Sequence, residues 1–239
     1  MKFPDPLLLK SKIARSSIIF ASSQLTGKKN FQTDYFINFN DECFVVCDGH
    51  EMVRGDAAST LAAETAIWGY KHVRHRPYYW SEKQLLVKRI FRSTNLAIWQ
   101  KHREHGFEDG LVTTLSVAII GTNKIWVGSV GDTSILLYRE SLIDILTQTD
   151  ADMLGLKRLG LLPHVKIDEF LGGDILLMAT DGVMKFVSED ELRAACEMAG
   201  DTTQSVTDAV VHLLKTAQEN GSEDNMTACI MKRLKAGGE

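Results

Sequence analysis

Four times in this chain an aspartate stands where an apolar, strand-like run ends or begins. Phe44-Val45-Val46-Cys47 leads into Asp48-Gly49, and Trp126-Val127-Gly128-Ser129-Val130-Gly131 leads into Asp132. Leu176-Leu177-Met178-Ala179-Thr180 leads into Asp181-Gly182, while Glu223-Asp224-Asn225 precedes the run MTACIMKRL. A carboxylate at the end of a buried strand is costly to desolvate unless its charge is compensated. Several of them converging at one sheet edge repel each other and call for cations. Hard divalent ions with oxygen ligands, Mg2+ or Mn2+, meet that need. The glycines after Asp48 and Asp181 allow the backbone to turn sharply and leave a carbonyl available as a further ligand. One Asp-Gly alone is ordinarily a turn. Four aspartates at strand edges are not explained that way.

The rest of the chain supplies the frame for such an edge. Strand-like runs fall at 17–22, 35–39, 43–47, 111–120, 124–130, 134–139, 142–147, 174–180 and 226–234. Gly121-Thr-Asn and Glu140-Ser are predicted as hairpin turns. Helical spacing predicts helices at about 55–72, 81–105, 188–199 and 202–219, with Ser81 as a cap and Gly106 just beyond the second. The stretch between 147 and 174 is less regular. Strands grouped along the sequence and interrupted by paired helices predict an α+β domain with antiparallel sheets. With no repeat, low-complexity tract or linker, 1–239 is read as a single domain.

Composition narrows the function. The 239 residues are 44% hydrophobic and 24% charged with a net charge of -4, which does not fit a nucleic-acid binder. The basic run KHVRHR at 71–76 is expected as a solvated helix end, the sharper alternative being a docking patch for an acidic or phosphorylated partner. Cys43, Cys47, Cys196 and Cys229 lack metal-type pair spacing, and Cys43, Val45 and Cys47 alternate onto one strand face. Buried thiols in a reducing compartment are therefore expected. The N-terminal apolar run in MKFPDPLLLK is too short for a signal or anchor, so a cytoplasmic protein without membrane contact is predicted.

The motifs resemble the PPM (PP2C-type) protein phosphatase family from about Ser17 to Arg233. The matching blocks are VVCDGH at 45–50 with GDAAS at 55–59, VTT at 112–114, VGSVGDTS at 127–134, GDILLMATDGVM at 173–184 and SEDNMT at 222–227. The resemblance implies a four-layer α-β-β-α sandwich of two antiparallel sheets flanked by helix pairs. It implies hydrolysis of phosphoserine and phosphothreonine in proteins by a metal-activated water, without a covalent phosphoenzyme. It also implies that Asp48 bridges two Mg2+ or Mn2+ ions, with the Gly49 carbonyl on the second and Asp181 and Asp224 on the first. Asp132 matches a third, weaker ion site. His50 matches a candidate general acid; its alternative is a hydrogen bond to a carboxylate or a bound water. The implied partner is a Ser/Thr-phosphorylated protein with a cognate kinase, acted on by a monomer.

Departures from the family pattern are specific. Where Arg-x-x-Asn-Glu-Asp is usual, the chain reads KNFQTD at 29–34. Lys29 keeps the phosphate-binding charge but not the bidentate fork. Thr33 replaces a glutamate, and Asp34 remains. Glu51-Met52 replaces Gly-Gly, Ser134 replaces an arginine, and Lys185 replaces a second aspartate. These changes motivate an alternative, a pseudophosphatase acting as a phosphoprotein-binding or regulatory module. Other chemistries fail on spacing. Cys47 and Arg54 have six residues between them where a cysteine phosphatase needs five. Asp150-Ala-Asp-Met-Leu is half of a haloacid-dehalogenase motif, and TGKK at 26–29 lacks most of a P-loop.

Overall fold

The computed structural model describes residues 18–50, 55–105 and 111–235. The N-terminal apolar run, Ser17, Glu51-Met52 and Gly106 lie outside the described residues. Alternating side chains build two five-stranded antiparallel sheets. One runs in the order β1 (Ile18–Leu25), β10 (Met226–Arg233), β9 (Ile175–Ala179), β6 (Ser134–Arg139) and β7 (Leu142–Ile145). The other runs β2 (Asp34–Phe39), β3 (Cys43–Asp48), β4 (Leu115–Ile120), β5 (Lys124–Val130) and β8 (His164–Glu169).

The β3 strand shows why the sheets stack. Its residues 43–47 are all buried, because both of its faces are covered. Phe44 and Val46 meet Ile135, Leu176, Met178 and Cys229 of the opposite sheet in an inner core. Cys43, Val45 and Cys47 face outward, onto Ala62, Ala66, Ile90 and Phe91. Those residues belong to α1 (Gly55–Val73) and α3 (Lys83–His105), which are joined through the short α2 (Pro77–Ser81). On the far side, α4 (Asp181–Met184) is followed by α5 (Glu189–Met198) and α6 (Thr203–Glu219). The last two cover the first sheet through Leu192, Val206, Val210 and Leu213. Ser188 and Thr202 each close a capping box, which fixes where these two helices begin. The result is the helix–sheet–sheet–helix layering that the resemblance implied. Among the described residues, no helix is long and apolar enough to cross a membrane.

Three local expectations need correction. Ser81 does not cap α3; it ends α2, and its hydroxyl donates to the carbonyls of Pro77 and Tyr78. The run predicted as strand from 111 begins only at Leu115, and Thr113 makes isolated bridges to Gly49 and Leu154. Arg74 of the basic run is not a solvated charge: its guanidinium lies 4.5 Å from the Phe39 ring centre and 3.2 Å from the Glu42 carboxylate. Both hairpin turns form. Gly121 N donates to Lys124 O at 2.8 Å, and Glu140 and Ser141 take φ of 51° and 66°, the left-handed pair suited to a tight two-residue turn.

Candidate metal centre

Strand register gathers the acidic positions at one edge. Asp34, first in β2, pairs directly with Asp48, last in β3. The neighbouring pairing of Val46 with Ser116 and of Leu115 with Val130 carries that edge across to the end of β5, where Asp132 follows. In the facing sheet, Ala179 pairs with Ala228 and with Ser134, so Asp181 and Asp224 emerge at the same end. Carboxylate oxygens of Asp48, Asp132 and Asp181 all lie within 4.8 Å of one another. Asp224 lies outside that triplet. Its Oδ1 accepts from Asn225 N at 2.8 Å and sits 3.5 Å from the Lys29 ammonium.

Threonines and one asparagine hold this edge in shape. Asp48 N donates to Thr114 Oγ1 at 2.9 Å, and Asp48 O accepts from Thr113 Oγ1 at 2.7 Å. Asp34 Oδ2 accepts from Thr180 Oγ1 at 2.9 Å and Thr227 Oγ1 at 2.7 Å, tying β2 to β10 and to the residue that follows β9 in the facing sheet. Asn225 Oδ1 accepts from both the backbone and the hydroxyl of Thr33 at 2.7 and 2.8 Å. Thr33 is thus engaged with Asn225. The signal for these residues was their place in the motif blocks: Thr113 and Thr114 in VTT, Thr180 directly before Asp181, and Asn225 and Thr227 just after Asp224.

The glycines act through close approach. A Cβ on Gly49 would lie 2.2 Å from Gly55 O, and one on Gly182 would lie 2.0 Å from Asn225 O. Only glycine lets these backbones pass. His50 follows Gly49 as an exposed residue whose N donates to Val112 O at 3.2 Å.

Electrostatics at this edge are adverse. Burial first, then Asp34 and Asp181, push the Asp48 carboxyl up to about 10. Burial pushes Asp34 up to about 7, with its two threonine hydrogen bonds opposing and Asp181 and Asp224 adding. Burial and Asp181 also raise Asp132. Asp34 Oδ1 is buried without a hydrogen-bond partner among the described residues. Crowded carboxylates, a buried oxygen with no donor, and an all-oxygen set fit a hard divalent ion. The thiols offer no competing nucleophile, because burial pushes all four above the normal range.

A stability prediction follows for the metal-free protein. Unfolded aspartates titrate near 3.8, whereas folded Asp34 and Asp48 keep their protons to about 7 and about 10. Between these limits the folded state binds more protons, so stability is greatest at the acid end and falls as pH rises. Thermal melts in EDTA should give a lower Tm at about pH 8 than at about pH 5.5, and millimolar-scale Mn2+ should close that gap. An equal Tm at both pH values without metal would contradict the described clustering.

A family model described as stage II sporulation protein E (SpoIIE) matches residues 57–234. The chain belongs to this PP2C-like family. Solved structures agree with SpoIIE-family membership at the level of fold. The serine/threonine phosphatase PstP/Ppp of Mycobacterium tuberculosis is 18% identical over 92% of this chain and 99% of its own, with a TM-score of 0.78. The S. agalactiae serine/threonine phosphatase is 17% identical over 90% of this chain and 99% of its own, with a TM-score of 0.79. A PstP catalytic domain in complex with 2 manganese ions is 17% identical over 92% of this chain and 100% of its own, with a TM-score of 0.77. No curated protein matches the chain.

Proposed function

We propose that this SpoIIE-family chain is a metal-dependent protein serine/threonine phosphatase, with Asp48, Asp181 and Asp224 and the Gly49 carbonyl as ligands for two ions. The observation that carries the reading is the close approach of the Asp48, Asp132 and Asp181 carboxylates at one sheet edge. The PstP domain of the same fold holds 2 manganese ions, which supports the same type of centre here. Bound Mg2+ or Mn2+ supplies positive charge for the phosphoryl oxygens and activates water.

The chain's own groups do the rest. Asp34, held through Oδ2 by Thr180 and Thr227, keeps Oδ1 without a hydrogen-bond partner among the described residues, and in this reading that oxygen orients water and accepts a proton. Lys29, beside Asp224, draws the phosphate monoester toward the carboxylate edge. His50, exposed next to Gly49, returns a proton to the departing serine or threonine oxygen. The whole chain acts as one domain, and its substrate is a Ser/Thr-phosphorylated protein.

Phosphate release from a phosphothreonine peptide, with Mn2+ against EDTA, tests the proposal. Turnover only with metal is expected. No release from any phosphopeptide by folded, metal-loaded protein would instead favour a binding module. In the same assay, His50→Gln should slow the peptide but not p-nitrophenyl phosphate, whose leaving group needs no proton. Equal slowing of both would remove the acid role.

A further inference from the structure

The acidic edge already contains a cation of its own. Asp181 opens α4, and Lys185 stands four residues on, one helical turn later, so its side chain reaches back over the same face. The Lys185 ammonium is hydrogen-bonded to Asp181 Oδ2 and lies 3.9 Å from Asp132 Oδ2. It therefore spans two of the three carboxylates that approach within 4.8 Å. The contact has a fixed base, because Lys185 N donates to Asp181 O at 2.9 Å. The groups whose charge acts on the ammonium, Asp181, Asp132 and Asp224, are all acidic. Lys29 lies against a different carboxylate, 3.5 Å from Asp224 Oδ1.

We infer that Lys185 serves as a built-in counter-ion for the Asp132–Asp181 side, so that this side takes no divalent ion while the ammonium is seated there. Divalent ions bind carboxylate oxygens at about 2.0–2.6 Å. An ion placed that close to Asp181 Oδ2 and Asp132 would collide electrostatically with an ammonium already hydrogen-bonded to the same oxygen. Ions then occupy the Asp48 and Asp224 side, reaching Asp181 through Oδ1 rather than the Oδ2 that holds the ammonium, and Asp132 is neutralised by the lysine. The lysine is a positioning residue: it sets how many ions the centre takes. This rests on the metal-centre reading above, and deepens it by assigning Asp132 to Lys185 rather than to a third ion.

The test counts Mn2+ bound per chain by equilibrium titration with electron paramagnetic resonance, for the wild type, Lys185→Met and Lys185→Arg. The Lys185 side chain is 63% exposed, so these changes leave the core untouched. Lys185→Met should bind one ion more than wild type, whereas Lys185→Arg, which keeps a cation, should match wild type. Equal counts for wild type and Lys185→Met would overturn the inference, as would an extra ion in Lys185→Arg. Ion binding by none of the three would sink the metal centre itself. Normal ion counts without phosphate release from peptides would sink the phosphatase reading and leave the lysine assignment standing.

Discussion

Asp48→Asn is expected to lower phosphopeptide turnover by at least about a thousandfold, the scale on which one group that stabilises a transition state acts. Asp48 joins the acids of this edge: it pairs with Asp34 across the sheet and lies within 4.8 Å of both Asp132 and Asp181. Asparagine has nearly the same shape but cannot carry the charge that offsets two divalent ions. The backbone around it should not change, because Thr113 and Thr114 bind the main chain of Asp48 rather than its side chain. A second consequence separates function from folding. Much of the adverse electrostatics comes from burial of the Asp48 carboxyl among Asp34 and Asp181. The metal-free variant should therefore melt no lower than metal-free wild type, and it should lose most of the Tm gain that Mn2+ gives wild type. Turnover within tenfold of wild type would remove Asp48 from the centre.

Asp34 should divide differently between stability and activity. In Asp34→Ala, the hydroxyls of Thr180 and Thr227 lose their shared acceptor inside the protein. Both hydroxyl oxygens still accept, from Thr227 N and Gln24 Nε2, so what is lost is two donated hydrogen bonds of about 0.5–1.5 kcal/mol each, and a loss of roughly 1–3 kcal/mol is expected in denaturant unfolding. Asp34→Asn keeps a carbonyl oxygen for the two hydroxyls and should fold with near wild-type stability. It nevertheless removes the charge of a residue paired directly with Asp48, and apparent Mn2+ affinity or turnover should fall about 10–100-fold. A destabilised Asp34→Asn with unchanged turnover would show that Asp34 only ties the two sheets together.

Much of this architecture was legible because hydrophobic alternation and strand-end aspartates are local signals. The Phe44–Cys47 run announces a strand buried on both faces, and Asp48 marks its end without any knowledge of the partner strand. What lay beyond reach depends on pairing. β8 reads HVKIDE, with polar residues at alternate positions because it is the edge strand of its sheet, so it lacked the apolar density of its neighbours. Arg74 looked like part of a solvated basic run until the fold set Phe39 and Glu42 against it. Thr180 and Thr227 are 47 residues apart and meet only because β9 and β10 pair, with Asp34 arriving from the other sheet. Lys185 was visible as a substitution for an aspartate, but its link to Asp132 comes from the stacking of two sheets. The helix caps at Ser188 and Thr202 were local, and the second pair of helices fell where spacing placed it.

Whether the carboxylate edge holds divalent ions is decided by anomalous diffraction at the manganese edge from Mn2+-soaked crystals. Anomalous peaks are expected between Asp48, Asp181 and Asp224, with Lys185 still seated against Asp132. Crystals that show no peak at this edge, while Asp48 and Asp181 remain ordered side by side, would contradict the metal centre.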